Sequence, residues 1–261
     1  MIYQTFAQLY DELFDDQLYA DWQSFVMREV QAPGTLLDLA GGAGRLAVRL
    51  AVRLAKQGFS VTDADLSVEM LSLADQHAQS AQVDLALVEA DMLDLTGLGQ
   101  FQTITCFADS LCYLNDLAQV NAALTQAGQH LAPGGKFLFD VITPYQTDQV
   151  YPGYSFNYQD EDHTRAFMWQ SFADEEVAHG VIHDLTFFIQ QGDGSYRRLS
   201  ETHFERTYPL ADYLTALKVA GFDQVQVSAD FGRHEVKDDT PRWFFVCQRG
   251  GPLNEGRGTC C

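Results

Sequence analysis

Basic residues are scarce in this chain. Sixteen Lys and Arg residues stand against 36 Asp and Glu residues, which gives a formal net charge of −20. Tight binding to a nucleic-acid backbone depends on Lys and Arg side chains that neutralise phosphates and release counterions. The composition therefore argues against a nucleic-acid partner and favours a small-molecule or a protein substrate. The excess of acid also keeps a protein soluble, which is its simplest effect.

Cysteine pairs with metal-ligand spacing are also lacking. The five cysteines include no CxxC pair combined with a second such pair or with a histidine cluster; they are Cys106, Cys112, Cys247, Cys260 and Cys261. This pattern predicts a reducing compartment, no disulfide framework and no metal site. The first residues do not resemble a signal peptide, and no apolar run is long enough to span a bilayer. We therefore expect a cytoplasmic protein without membrane contact.

An apolar run that ends in a glycine-rich turn organises the chain. Residues 36–46 read LLDLAGGAGRL, which predicts a buried strand, a tight turn and the start of a helix. Glycines let the backbone approach a ligand closely, and the helix N-terminus points its N–H groups at whatever the turn holds. Residues 42–47 also fit the G-x-G-x-x-G/A pattern of dinucleotide sites, so NAD is one candidate cofactor.

Asp38 favours a different cofactor. It lies at the predicted end of the strand, just before the turn. A carboxylate there would repel a pyrophosphate, whereas it suits a ligand that carries a cationic amino group and no phosphate. S-adenosylmethionine (SAM) is such a ligand. The simpler alternative is that Asp38 only caps the turn.

The turn resembles motif I of the class I SAM-dependent methyltransferases, an acid followed by glycines at alternate positions. Gly42 and Gly44 match the motif, while Ala40 stands at the first glycine position and Gly41 where many members carry Cys. The resemblance implies that SAM is the cofactor and that Asp38, Ala40, Gly42 and Gly44 contact it.

A second acid follows the second predicted strand. Asp65 comes 21 residues after Gly44, where a carboxylate at the end of a strand meets ribose hydroxyls in nucleotide-binding folds. Its setting is similar to motif II of the same family, and Asp63 competes for the role. Leu66 and Met70 are predicted to pack against adenine, or else to be plain core residues.

Two further loops complete the predicted site. Asp91 and Met92 follow the third strand and resemble motif III, in which the carboxylate accepts from the adenine N6 amine and the next N–H meets N1. The alternative is that Asp91 is a solvated loop acid. Asp109, Ser110 and Tyr113 follow the fourth strand, beside the expected methyl group. We predict that Asp109 and Tyr113 are catalytic and that Asp109 also contacts the cofactor, unless it caps a turn.

Helical spacing predicts two short helices within residues 1–30. The arrangement of Phe6, Ala7, Tyr10 and Asp11 resembles N-terminal lids of the methyltransferases, which implies that Tyr10 lies against the methionine end of SAM. Its electron-rich ring would face the sulfonium. An aromatic stripe at this spacing is, alternatively, an ordinary core contact.

Alternating strand and helix patterns predict an α/β fold, a Rossmann-like doubly wound sheet of seven mostly parallel strands. Residues 1–144 and 209–249 would form this domain. Residues 145–208 would form an inserted antiparallel β cap, with strands at 167–172, 181–190 and 196–208, and residues 250–261 a disordered tail. His179 and His183 are too far apart on a strand to share one ion.

These motifs together predict a SAM-dependent methyltransferase that acts on a nitrogen or oxygen nucleophile of a small molecule or a protein. The acid-rich N-terminal helix and Asp109-Ser110 also resemble small bacterial methyltransferases of the YqeM type. One alternative is a non-catalytic SAM-binding or assembly module. Another is an NAD-dependent oxidoreductase, which would leave Asp38 and Asp91 unexplained.

Overall fold

Strands and helices alternate along the first half of the chain, as the apolar runs and glycine-rich turns predict. The computed structural model describes residues 16–30, 33–54 and 57–250. The helices are α1 (Asp16–Glu29), α2 (Arg45–Leu54), α3 (Val68–Ala81), α4 (Leu117–His130) and α5 (Leu210–Val219). The strands before the cap are β1 (Thr35–Leu39), β2 (Ser60–Asp65), β3 (Ala86–Glu89), β4 (Phe101–Cys106) and β5 (Leu131–Ile142).

The cap and the last strands complete the described chain. The cap strands are β6 (Ser155–Gln159), β7 (Arg165–Ala173), β8 (Gly180–Gln190) and β9 (Tyr196–Arg206). After α5 come β10 (Phe222–Ser228) and β11 (Arg242–Arg249). The lid residue Tyr10 and the tail that includes Cys260 and Cys261 lie outside the described residues.

Seven of these strands form one sheet in the order β10-β11-β5-β4-β1-β2-β3. Strands β1 to β5 run parallel, and β11 runs antiparallel to both β5 and β10. Successive residues of β1 face opposite layers, because Leu36 packs with α1 and α2 whereas Leu37 packs with α4 and α5. The predicted Rossmann-like, doubly wound sheet is confirmed. The chain reverses direction across the sheet between β1 and β4, and ligands bind at such a point in open α/β sheets.

The cap is a four-stranded antiparallel sheet in the order β6-β7-β8-β9. The sequence predicts β7, β8 and β9 within a few residues but misses β6. Every residue of β6 is exposed, so this edge strand lacks the alternation of buried and exposed positions that identifies a strand. The boundaries of the inserted cap at 144/145 and 208/209 stay a prediction.

Two strand ends are irregular. Residues 132–135 belong to β5, although the pairing of β5 with β4 is irregular there. Strand β10 ends at Ser228. Asp230 and Phe231 have positive φ angles of 47° and 53°, which end the extended conformation.

Helix α1 packs on the sheet through its aromatic face. Trp22, Phe25 and Val26 are buried, and Trp22 Nε1 donates a hydrogen bond of 2.7 Å to Asp140 Oδ2 on β5. Lys136 Nζ lies 2.8 Å from Glu29 Oε2 at the other end of the helix. These contacts lay α1 along β5, with Trp22 towards the carboxyl end of the strand and Glu29 towards its amino end.

The sequence predicts neither a membrane-spanning segment nor a metal site. Within the ranges described above, no helix is both long and apolar enough to cross a bilayer. The same residues include no group of three or more His, Cys, Asp or Glu side chains placed to hold a metal ion.

We expect Gly44→Ala to destabilise the fold strongly. A Cβ at this position would lie 2.6 Å from Ala74 Cβ and 2.9 Å from Asp63 Oδ2, and the backbone φ is +69°. Left-handed backbone costs an alanine about 1–2 kcal/mol, and the crowding should add roughly 1–3 kcal/mol. Urea unfolding measures the loss.

Gly194→Ala is the matched control. Its φ is +84°, and a Cβ there would meet nothing within 4 Å. Its loss of free energy of unfolding should therefore reflect the backbone strain alone. Equal losses in the two variants would contradict the close packing of α2 on α3.

Candidate functional site

The turn between β1 and α2 fits tightly over the second strand. A Cβ at Gly41 would lie 1.9 Å from Asp63 Oδ1, so no larger residue fits without movement of the loop or of Asp63. Gly41 N–H also donates to the carbonyl of Ala64 over 3.2 Å. The turn is therefore held against β2, with the N-terminus of α2 facing the carboxyl end of the sheet.

Asp65, at the end of β2, accepts hydrogen bonds that stabilise the same turn. Its Oδ2 accepts from Gly42 N–H and its Oδ1 from Ser67 N–H, each over 2.8 Å. Ser67 Oγ in turn accepts from Met70 N–H over 3.2 Å, so Ser67 caps the N-terminus of α3. Asp63, the other candidate for the ribose contact, is fully buried beneath the turn.

Asp38 presents one oxygen without a hydrogen-bond partner. Thr105 Oγ1 donates to its Oδ1 over 2.7 Å, while Oδ2 is buried and has no hydrogen-bond partner among the described residues. Burial, and secondarily the charge of Asp65, raises the pKa of Asp38 to about 7. Burial and the neighbouring charges of Asp38 and Asp65 also raise the pKa of Asp63. An excess of buried carboxylate of this kind is stabilised by a cation.

A cavity of about 640 Å³ lies against these groups. We call it the cofactor cleft. Seven of the residues predicted to bind the cofactor line it; they are Asp38, Ala40, Gly42, Asp65, Leu66, Met70 and Met92. Leu66 is 67% exposed although it is a large apolar side chain. The cleft thus offers carboxylates at one place and uncovered apolar side chains at another, which fits an ammonium and ribose on one side and a flat heterocycle on the other.

The structure places the other predicted residues elsewhere. Gly44 packs beneath the turn, against Ala74. Asp91 Oδ1 accepts from Leu93 N–H over 2.9 Å, within its own turn. Neither of these two is among the described residues that line the cofactor cleft, and Asp109 lines a second cavity. The direct cofactor contacts of Gly44, Asp91, Asp109 and Tyr10 stay predictions.

The second cavity, of about 350 Å³, lies under the cap and is walled mainly by aromatic side chains. We call it the cap chamber. Its aromatic walls come from Trp22, Tyr113, Tyr151, Tyr154, Phe156, Phe167 and Trp169. Four residues line both cavities; they are Trp22, Ala108, Tyr113 and His203. The cofactor cleft and the cap chamber therefore adjoin at one place, which we call the junction.

Asp109 is held at the floor of the cap chamber by an arginine. Both of its carboxylate oxygens pair with Arg242, with 2.7 Å between Oδ2 and Nη2. Arg242 Nη1 also lies 3.0 Å from Asp140 Oδ1. Burial raises the pKa of Asp109, and Arg242 acts against that rise. Because the two-pronged geometry is that of an ion pair, we treat Asp109 as a carboxylate whose oxygens are already engaged.

Tyr113 belongs to a hydrogen-bonded chain at the junction. Its hydroxyl lies 3.3 Å from His203 Nδ1, and His203 Nε2 lies 3.0 Å from Glu201 Oε2. The sequence alone does not single out Glu201 or His203. Acid and histidine at alternate positions of β9 were the available signal, because alternate residues of a strand share one face.

Comparison with known proteins agrees with this geometry. Residues 36–135 match the family described as "Methyltransferase domain". Over 250 residues, the chain is 40% identical to "Putative methyltransferase YqeM" of Bacillus subtilis (strain 168), covering 95% of this chain and 98% of that protein. The chain belongs to the class I SAM-dependent methyltransferase family. The resemblance to the YqeM type is confirmed.

Solved structures agree on the fold of this methyltransferase. A S-adenosylmethionine-dependent methyltransferase from Clostridium acetobutylicum ATCC 824 matches with a TM-score of 0.81 and 28% identity, covering 95% of this chain and 99% of that one. SAM-bound CalS10, an amino pentose methyltransferase from Micromonospora echinaspora, matches with a TM-score of 0.73 and 20% identity, covering 94% and 96%. SAM is the cofactor of the methyltransferase, and the NAD alternative is set aside.

We expect the affinity for S-adenosylhomocysteine to rise between about pH 6 and pH 8. The carboxylate form of Asp38 is the one that attracts the ligand's ammonium, and a pKa of about 7 makes that form the minority below neutral pH. Its population changes roughly tenfold over this range, so the dissociation constant should fall by a similar factor. Calorimetric titration at several pH values measures it.

Asp38→Asn should weaken binding and remove most of this pH dependence. Asp75→Asn, at an exposed position on α3, is the control for loss of one carboxylate and should keep it. An unchanged pH profile in Asp38→Asn would show that another group governs the ammonium site.

Proposed function

We propose that this methyltransferase transfers the methyl group of SAM to a nitrogen or oxygen nucleophile of a small molecule bound in the cap chamber. The junction carries the proposal. Trp22, Ala108, Tyr113 and His203 line both cavities, so a molecule in the cap chamber can reach a cofactor in the cleft without crossing solvent.

The size and walls of the cap chamber favour a small acceptor over a large one. Its volume of about 350 Å³ is in the range of small-molecule sites, which are mostly apolar with a few polar groups. Aromatic side chains of the cap, among them Phe167 and Trp169, form its walls. Such walls exclude water from the reacting groups and limit how an acceptor can lie.

The residues of the cleft have distinct tasks in holding SAM. In this proposal Asp38 Oδ2 accepts from the ammonium, Asp65 accepts from the ribose hydroxyls, and Leu66, Met70 and Met92 cover the adenine. Bound SAM supplies an electrophilic methyl group on a sulfonium, so the protein has mainly to position the nucleophile and keep water out.

The chain of Glu201, His203 and Tyr113 supplies a place for the acceptor's proton. Glu201 Oε2 accepts a hydrogen bond from His203 Nε2, so the proton of the neutral ring is on Nε2. His203 Nδ1 is then the hydrogen-bond acceptor that faces the Tyr113 hydroxyl. A nucleophile at the junction can then lose its proton through Tyr113 to His203. Tyr113 and His203 would be the catalytic residues, and Glu201 a positioning residue that fixes the histidine tautomer.

The direct test is a transfer assay with methyl-labelled SAM. The purified protein is incubated with a panel of small amines, alcohols and phenols, and products are identified by mass spectrometry. Methylation of at least one class supports the proposal. Tight binding of S-adenosylhomocysteine together with no transfer across the panel would overturn it and favour a non-catalytic SAM-binding module.

We expect His203→Ala to lower kcat by roughly 10²–10⁴-fold, the range for loss of a general base. Its affinity for S-adenosylhomocysteine should change little, because the ring lies at the edge of the cofactor cleft. Steady-state kinetics with the acceptor found in the panel measure the loss of kcat.

His234→Ala is the control for the loss of a histidine. His234 lies in the connection between β10 and β11, with 71% of its side chain exposed, and its variant should keep the activity. A His203→Ala variant with full kcat would remove His203 from the proposed proton path.

A further inference from the structure

One face of β9 connects the two cavities. Glu201, His203 and Glu205 occupy alternate positions of this strand, so their side chains share a face. Glu201 lines the cofactor cleft, His203 lines both cavities, and Glu205 lines only the cap chamber. Two residues of extended strand span roughly 7 Å. Glu205 therefore lies about that far beyond the junction, inside the cap chamber.

Glu205 and His183 are buried with unsatisfied polar atoms. Glu205 is 9% exposed and His183 3% exposed. Neither Glu205 Oε2 nor His183 Nε2 has a hydrogen-bond partner among the described residues. The two atoms are 3.8 Å apart, too far for a hydrogen bond between them. Buried polar atoms in native proteins almost always have a partner, so a ligand is an economical explanation for this pair.

The hydrogen bonds of His183 determine which of its nitrogens carries the proton. Trp169 Nε1, which can only donate, lies 3.1 Å from His183 Nδ1, and Ser171 Oγ lies 2.7 Å from the same nitrogen. Nδ1 is therefore an acceptor, and in the neutral ring Nε2 carries the proton. Because Nε2 carries the proton, it cannot accept a hydrogen bond from a ligand. Glu205 is therefore the hydrogen-bond acceptor of the pair.

The charge in the cap chamber favours a cation. Among the described residues that line it, the one Lys or Arg is Arg242, which is already paired with Asp109 and Asp140. In the part of the chain that the structure describes, Glu205 has no Lys or Arg as an ion-pair partner, and His183 is its one ion-pair neighbour. Burial, followed by the charges of Asp109 and Glu205, raises the pKa of Tyr151, and Arg242 acts against that rise.

The aromatic walls fit the same kind of ligand. Tyr151, Tyr154 and Trp169 line the cap chamber beside His183, with ring centroids of Tyr154 and Trp169 5.3 Å apart. The faces of such rings attract an ammonium group, most strongly when it is removed from water. Their remaining surface would cover an apolar body.

We propose that Glu205 and the aromatic walls bind an ammonium group of the methyl acceptor. The acceptor is then a small amine with an apolar body, whose ammonium contacts Glu205 while a second, reactive nitrogen or oxygen lies at the junction. This inference rests on the proposed function. It adds the substrate class and makes Glu205 a specificity-determining residue that is separate from the proton path through His203.

Binding of three matched probes tests the charge preference. 2-Phenylethylamine, 2-phenylethanol and 3-phenylpropionate have similar bodies but are a cation, a neutral molecule and an anion. Each is titrated into the protein saturated with S-adenosylhomocysteine. The amine should bind at least roughly tenfold more tightly than the alcohol, as expected for a hydrogen bond to a charged group, and the anion most weakly. Equal binding of the three would overturn the inference.

Glu205→Gln tests the residue itself. It keeps the shape and removes the charge, so 2-phenylethylamine should bind roughly tenfold more weakly while 2-phenylethanol is unaffected. Glu175→Gln, at an exposed position of the cap, should leave both unchanged. Unaltered affinity of Glu205→Gln for S-adenosylhomocysteine verifies that the variant is folded. If the variant does not fold, the probe series with the unaltered protein still decides the charge preference.

Kinetics separate this inference from the proposed function. With an amine substrate, Glu205→Gln should raise KM and leave kcat nearly unchanged, the reverse of His203→Ala. If the amine binds through Glu205 but no methyl group is transferred to any acceptor, the binding site stands and the proposed function fails. If neutral alcohols are methylated with a KM that Glu205→Gln leaves unchanged, and amines are not, the function stands and the inference fails.

Discussion

The ion pairs of Arg242 connect the parts of the chain that form the junction. Arg242 is on β11, Asp109 follows β4, and Asp140 is on β5. Asp140 also accepts the indole N–H of Trp22 on α1. Four separate segments therefore meet around one guanidinium. Removing Arg242 would leave the buried carboxylates of Asp109 and Asp140 without compensation, which is far more destabilising than exchanging the whole set for apolar residues.

These contacts also hold an unfavourable backbone in place. Ala108 and Asp109 have φ angles of +55° and +61°, a conformation that residues other than glycine seldom adopt. Asp109 N–H donates to Asp140 Oδ1 over 3.1 Å, so the side chain and the main chain of Asp109 are both fixed. Ala108, the first residue of this strained pair, lines both cavities. The acid at this position organises the site rather than standing free in it.

Much of the fold and of the cleft could be predicted from the sequence because they depend on local patterns. The turn at 40–44, the acid at Asp65 and the cap of α3 at Ser67 are each specified by neighbouring residues. The partners of Asp109 could not be predicted in this way, since Arg242 is 133 residues away. Alternation along β9 places Glu201 and His203 on one face of the strand, but it does not show that the cap sheet brings this face to the junction, so the sequence could not single them out.

The position of β9 has a consequence for how the two ligands influence each other. The strand contributes Glu201 and Thr202 to one cavity, Glu205 to the other and His203 to both. A ligand whose binding displaces β9 must therefore change the free energy of binding in both cavities. Such coupling is reciprocal by thermodynamic necessity. If an acceptor in the cap chamber strengthens SAM binding through this strand, then bound SAM strengthens the binding of that acceptor by the same factor, and the loss of one ligand would weaken the binding of the other.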